Sequence, residues 1–188
     1  MWLRRKLRGL NVNSIAGAGA RDYFILFQLN EGLALDVNQL ERRYHSLMQK
    51  FHPDLYAGKP QIEQRLAAQL CADINSGYQL LRNEVTRAEY LLRRAGVDLE
   101  EAERTGVSSD FLMMQISLRE QLETLKMGDT AAYERLSDEV EAKYSFSRDA
   151  FEEAVKTAFW KSAAGYWQEM CYLEKLRKAV RTAHYRGH

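Results

Sequence analysis

Apolar side chains at Val37, Leu40, Tyr44, Leu47, Met48 and Phe51 recur every three to four positions, which predicts a helix from Val37 to Lys50. Asp36 is placed to cap it, with Gln39 three residues on as the capping-box partner. A second run follows over Gln61 to Arg82, with Ile62, Leu66, Leu70, Ile74, Tyr78 and Leu81 at the same period. These six side chains are expected to pack back on the first helix, making an antiparallel hairpin. Upstream, Asp22 can cap a short helix over Tyr23 to Leu29, broken by Asn30-Glu31-Gly32. Downstream, Arg87 to Leu92 forms a short apolar turn or helix that Gly96 ends. The stretch 96–109 is acidic and holds Gly106 and two serines, which makes it the expected linker between domains. Three more helical patterns follow: Asp110 to Lys126, Thr130 to Tyr144, and about Ser147 to His184. Gly128-Asp129 and Ser145-Phe146-Ser147 separate them, and short connections favour an antiparallel three-helix bundle.

The two long N-terminal patterns are separated by His52-Pro53-Asp54. Pro53 lacks an amide hydrogen, fixes its own φ and pushes His52 out of helical conformation. Pro60, the only other proline, stands where a helix tolerates one best, at its start. An imidazole and a carboxylate are thus expected at the tip of a loop. Arg42, Arg43, His45 and Lys50 fall on the polar face of the helix leading to it.

Composition narrows the class. The 188 residues are 46% hydrophobic and 28% charged, a globular balance, and two prolines with abundant Leu, Ala, Glu and Arg argue for an all-α protein. A formal charge of +1 gives no general case for nucleic-acid binding. It hides an asymmetry: residues 1–21 carry five positive charges and no acid, while the remainder has 22 basic and 26 acidic residues. Residues 1–20 read as a basic leader without the apolar core of a secretory signal, an accessory or disordered tail. Cys71 and Cys171 lack CxxC spacing and read as free thiols of a reducing compartment. No stretch approaches the roughly 20 apolar residues of a membrane span.

His45, His52 and Asp54 are residue types that bind a metal or move a proton, so a metal-dependent hydrolase is one reading. The spacing matches no HxxxH or HExxH pattern, and neither a phosphate loop nor a Ser/His/Asp order is present. A binding module is the other reading, because the basic helix face runs into the loop. A second candidate surface lies on the helix from Asp110. Phe111, Met114, Leu118, Leu122 and Leu125 share one stripe, while Leu112, Met113 and Ile116 lie on the other side beside Arg119 and Glu120. That trio is either a second internal contact or a partner site. Tyr172 on the last helix is a further member or a core aromatic.

Lys50-Phe51-His52-Pro53-Asp54 after a basic helix, then a helix ending Ile74-Asn75-Ser76-Gly77-Tyr78-Gln79-Leu80-Leu81, resembles a J domain. The opening Asp22-Tyr23-Phe24-Ile25-Leu26-Phe27 also fits. Arg87-Ala88-Glu89-Tyr90-Leu91-Leu92 and Phe111-Leu112-Met113-Met114-Gln115-Ile116-Ser117-Leu118-Arg119-Glu120 are similar to the HscB family in particular. The resemblance spans about Asp22 to Arg181. It implies a leader over 1–20, a J domain over 21–95, a linker over 96–109 and a scaffold-binding domain over 110–188. It further implies a co-chaperone of iron–sulfur cluster assembly, with a DnaK-type chaperone, HscA, and the scaffold IscU as partners. The chain itself would be no enzyme, with no cofactor, metal, nucleic acid or membrane. Arg42, Arg43, Lys50, His52, Pro53 and Asp54 would meet the chaperone; Leu112, Met113, Ile116, Arg119, Glu120 and Tyr172 would meet the scaffold. A J protein for another client is the nearest alternative. Leu55 stands where a basic residue is common, weakening part of the positive patch, with Lys59 available to compensate. Ser117 and Thr124 stand where some members have acids. The lack of an N-terminal CxxC pair favours a bacterial cytoplasmic protein over a mitochondrial matrix one.

Overall fold

The computed structural model describes residues 22–126 and 129–186; the leader and Gly128, which the sequence reading used, lie outside them. Within the described residues the chain forms eight α-helices and a 3₁₀ turn. The helices are α1 Tyr23–Leu26, α2 Val37–Phe51, α3 Gln61–Arg82, α4 Glu84–Arg94, α5 Leu99–Thr105, α6 Ser109–Thr124, α7 Thr130–Lys156 and α8 Trp160–Arg186, with the 3₁₀ turn at Pro53–Tyr56. The chain divides into two compact units, the first ending at Arg87 and the second beginning at Ala88.

In the first unit the caps act as their residue types dictate. Asp22 accepts from the Ile25 amide at 3.0 Å and Asp36 from the Gln39 amide at 3.1 Å, each satisfying an orphan N–H of a helix start. Helices α2 and α3 pair as the hairpin, burying Leu40, Leu47 and Phe51 against Ala67, Leu70, Ile74 and Leu81. Tyr44 stacks on Tyr78 with ring centroids 4.2 Å apart and donates to Asn75 Oδ1 at 2.9 Å, so one residue closes the hairpin by both apolar and polar contact. Two expected core residues are elsewhere: Ile62 and Leu66 are exposed. Ala67 and Cys71 take inward positions instead. Helix α1 covers α3 at Gly77. A Cβ there would lie 2.5 Å from Tyr23 Cδ1 and 3.0 Å from Phe27 Cε2, so only a hydrogen fits. Arg87 is fully buried, yet its guanidinium is used: Nε donates to the Leu33 carbonyl at 2.7 Å and Nη1 to that of Leu81.

The second unit differs from the sequence reading in two places. The stretch read as a linker, 96–109, contains α5; Asp98 caps it through the Glu100 and Glu101 amides, Leu99 is buried, and α5 packs on α8. The bundle is α6, α7 and α8, but α7 runs straight through Ser145-Phe146-Ser147. Ser147 belongs in a helix here because its buried hydroxyl donates to Glu169 Oε2 on α8 at 2.8 Å. The break comes instead at Thr157–Phe159. There Ala158 takes φ 57°, its amide bonds the Val155 carbonyl and that of Phe159 bonds Ala154, a Schellman ending with alanine where glycine is usual. Cys71 is buried and Cys171 half-buried, both free. Burial pushes the Cys171 thiol up to about 11, against the pull of Lys175 and with Glu89 and Glu103 adding to the rise. Among the described residues no helix is long and apolar enough to cross a membrane.

Candidate functional site

Helix α2 ends at Phe51, whose buried ring anchors the last turn. His52 follows at φ −58°, ψ 133°, the extended conformation forced on a residue before proline. Pro53 then opens the 3₁₀ turn, and the Leu55 amide closes it on the His52 carbonyl at 3.0 Å. The outcome is a tip on which Asp54 is 88% exposed at its side chain. His52 Nδ1 lies 3.4 Å from the Asp54 amide nitrogen and 3.4 Å from Asp54 Oδ2. A ring nitrogen accepts from an amide only when it carries no hydrogen and pairs with a carboxylate only when it does, so these contacts are alternatives.

The tip is held from behind by two residues that the sequence reading did not single out. Tyr56 is buried, and its hydroxyl donates to the Lys50 carbonyl at 3.3 Å. Burial, and secondarily Glu63, raises its phenol above the ordinary value, which keeps it a donor. Gln64 Nε2 donates to the carbonyls of Lys59 at 2.8 Å and Ala57 at 3.3 Å, tying the loop to the first turn of α3. An aromatic and an amide next to a His-Pro-Asp turn were the available signal, because carbonyls at a helix end and in a loop lack helical partners and take side-chain donors.

The basic residues do not act alike. Arg42 and Lys50 are exposed, with Arg42 Nη2 3.8 Å from Asp36 Oδ2. Arg43 is half-buried and committed. Its Nη1 donates to the Phe27 carbonyl at 2.7 Å and to that of Gln28, where α1 ends in a left-handed Gln28. It therefore fastens α1 to α2 and contributes less to the outer face. His45 is exposed 3.9 Å from Glu41, and among the described residues no group of three His, Cys, Asp or Glu side chains is arranged to hold a metal ion.

On α6, Ser108 caps the Phe111 amide and fixes the helix phase. Phe111 and Leu118 are buried, Met114, Leu122 and Leu125 half-buried. Leu112, Met113 and Ile116 remain 41%, 68% and 49% exposed, with Arg119 and Glu120 exposed beside them. Tyr172 is partly exposed; its ring is 6.1 Å from that of Phe111, and Lys175 Nζ lies 5.7 Å from its centroid. Tyr172 thus touches the core stripe with one edge and solvent with the other.

Comparison with known proteins finds one matching family model and several similar solved structures. A family model described as the HSCB C-terminal oligomerisation domain matches residues 107–181. The chaperone HscB from Vibrio cholerae is similar over 88% of this chain and 98% of its own, at 29% identity and a TM-score of 0.78. The human co-chaperone HscB superposes over 89% of this chain and 84% of its own, at 24% identity and a TM-score of 0.80. The Jac1 co-chaperone from Saccharomyces cerevisiae shares the fold over 85% and 92%, at 18% identity and a TM-score of 0.64. With an all-α architecture, a His-Pro-Asp tip on a helical hairpin and a C-terminal helical bundle, the chain carries a match to the HSCB C-terminal domain over residues 107–181 and is similar to the HscB co-chaperones along most of its length.

Proposed function

We propose that this protein stimulates ATP hydrolysis by a dedicated DnaK-type chaperone, HscA, and delivers the scaffold IscU to it. The observation that carries this reading is the Asp54 carboxylate, held out on a pinned tip that follows the helix bearing exposed Arg42 and Lys50. An exposed anion on a fixed turn suits a charge-assisted bond with a cation of the partner. The chaperone surface is Arg42, Arg43, Lys50, His52, Pro53 and Asp54, with Arg43 working chiefly through α1. The scaffold surface is Leu112, Met113, Ile116, Arg119, Glu120 and Tyr172. The functional division is a J domain over 21–95 and a scaffold domain over 110–188. One chain holding both partners raises their effective concentration. The chemistry is the chaperone's, and a bacterial cytoplasmic location fits. The test is single-turnover ATP hydrolysis by the chaperone with this protein, with and without scaffold: stimulation by the protein, increased further by scaffold, is expected. No acceleration would overturn the reading.

The matched family model's description favours a second reading of the α6 face, self-association. Sedimentation of the protein without scaffold distinguishes them: a monomer leaves the trio to the scaffold.

A further inference from the structure

The oxidisable sulfurs of this chain are six methionines and two cysteines, of which Met1 and Met127 lie outside the described residues. The others differ sharply in access. Met170 is fully buried on α8, and Cys71 is buried in the hairpin with its Sγ 3.8 Å from Met48 Sδ. Met48 and Met114 are half-buried. Cys171 is half-buried and, pushed up to about 11, stays a thiol at neutral pH, whereas the thiolate is the reactive form. Met113 is 68% exposed, the most exposed sulfur-bearing residue among the described ones. A thioether needs no deprotonation to be oxidised, so access decides which one reacts. At 100° per residue, Leu112, Ile116 and Met113 span an arc of about 100° on α6. The Ser108 cap on the Phe111 amide sets the phase in which Phe111 and Leu118 are buried and this arc is not. The most accessible sulfur therefore stands on the face assigned to the scaffold and apart from the bundle core.

We propose that Met113 is an oxidation-sensitive switch on the scaffold-binding face: peroxide converts its thioether to the sulfoxide, which lowers affinity for the scaffold until a thiol-dependent reductase reverses it. This inference rests on the scaffold reading above. In the forward step the sulfur lone pair attacks one peroxide oxygen. The S–O bond forms, the O–O bond breaks, and the other oxygen leaves as water after proton transfer. Sulfur gives up two electrons and the peroxide takes them. In the reverse step two thiols supply the electron pair and two protons, become a disulfide, and the sulfoxide oxygen leaves as water. The sulfoxide turns an adaptable apolar side chain into a polar one. Beside Leu112 and Ile116 its oxygen would be desolvated in an apolar contact without a donor, which costs affinity.

The test treats the full chain with dilute hydrogen peroxide and then removes the peroxide with catalase, so that the scaffold IscU never meets oxidant. Peptide mass spectrometry follows each methionine, and calorimetric titration with scaffold reads affinity. Wild type, Met113→Leu and Met114→Leu are each compared with themselves before treatment. Met113 sulfoxide should form ahead of oxidation at Met48, Met114 and Met170, with Tm unchanged. Treated wild type and Met114→Leu should each lose at least about tenfold in scaffold affinity, while Met113→Leu keeps its own untreated value. Methionine sulfoxide reductases of both epimer specificities, with thiol, should restore the wild type. If untreated wild type does not bind scaffold, the scaffold reading falls and the switch with it. If it binds, and protein carrying Met113 sulfoxide binds equally well, only the switch is wrong. An equal loss in Met113→Leu, earlier oxidation at another described methionine, a fall in Tm on Met113 oxidation, or no recovery with the reductases would also overturn the switch.

Discussion

Asp54 is presented with little support from its own contacts and much from its neighbours, so its charge can be removed without loosening the loop. Asp54→Asn keeps size and leaves Tyr56 and Gln64 in place; normal helicity and Tm with loss of ATPase stimulation are expected. Full stimulation by this variant would refute the role. Gly77 behaves oppositely. An added methyl meets the Tyr23 ring, and overpacking of about 1–3 kcal/mol should outweigh the roughly 1 kcal/mol helix-propensity gain of alanine. Chemical denaturation of Gly77→Ala should therefore show a net loss. Glu169 supplies a pH test. Burial raises its carboxyl above the ordinary value of 4.5, the Ser147 hydroxyl partly offsetting the rise. The folded state holds this proton more tightly than the unfolded one, so the group's stabilisation is full below 4.5 and lost as pH rises through its raised value. Glu169→Gln has no such loss and should gain on wild type in urea midpoint between acid and neutral pH.

At the scale of elements, α6 separates a core stripe from an exposed one, and the two should respond differently to truncation. Replacing Leu112, Met113 and Ile116 with alanine opens no bundle cavity; the variant should keep its Tm and basal chaperone stimulation. Interface side chains that matter cost about 1–2 kcal/mol each, so scaffold binding should weaken at least about a hundredfold. Phe111→Ala removes a buried ring and should cost roughly 3–5 kcal/mol of stability. An early-melting triple variant with unchanged binding per folded molecule would make the trio internal packing. Helix endings follow a second rule. α1, α4 and α7 all close with Schellman bonds, at Gln28, Gly96 and Ala158. Only the glycine announces itself, which is why the break at Thr157–Phe159 was not legible while that at Gly96 was.

At the scale of the molecule, a net charge near zero conceals a local basic face on the α2 hairpin. In the proposed encounter with the chaperone, steering by Arg42 and Lys50 would act on association rate, and the Debye length falls from about 10 Å at 0.1 M salt to about 3 Å at 1 M. Stopped-flow association with the chaperone should slow across that range, and a flat profile would leave the face merely solvated. Arg42→Glu should be worse than Arg42→Ala because it adds repulsion. Arg43→Ala should instead lose stability, by about 1–3 kcal/mol, since two carbonyls at the end of α1 lose their donor.

By itself the sequence determined what short range determines: the helical period, the Asp caps, the proline that ends α2, and the His-Pro-Asp tip. Each depends on a few neighbouring residues and their backbone preferences, and so each reads directly from the chain. Tertiary structure decided the rest. Periodicity marks Ile62 and Leu66 as inward, but a stripe is buried only where a partner packs on it: Tyr23 and Phe27 meet α3 at Gly77, while Ile62 and Leu66 stay exposed. Likewise Arg43 looked like surface charge until two carbonyls fifteen and sixteen residues away needed a donor. Ser147 looked like a break until Glu169, far along the chain, took its hydroxyl into the bundle. In each case the deciding partner is remote in sequence, and only folding brings it within bonding distance.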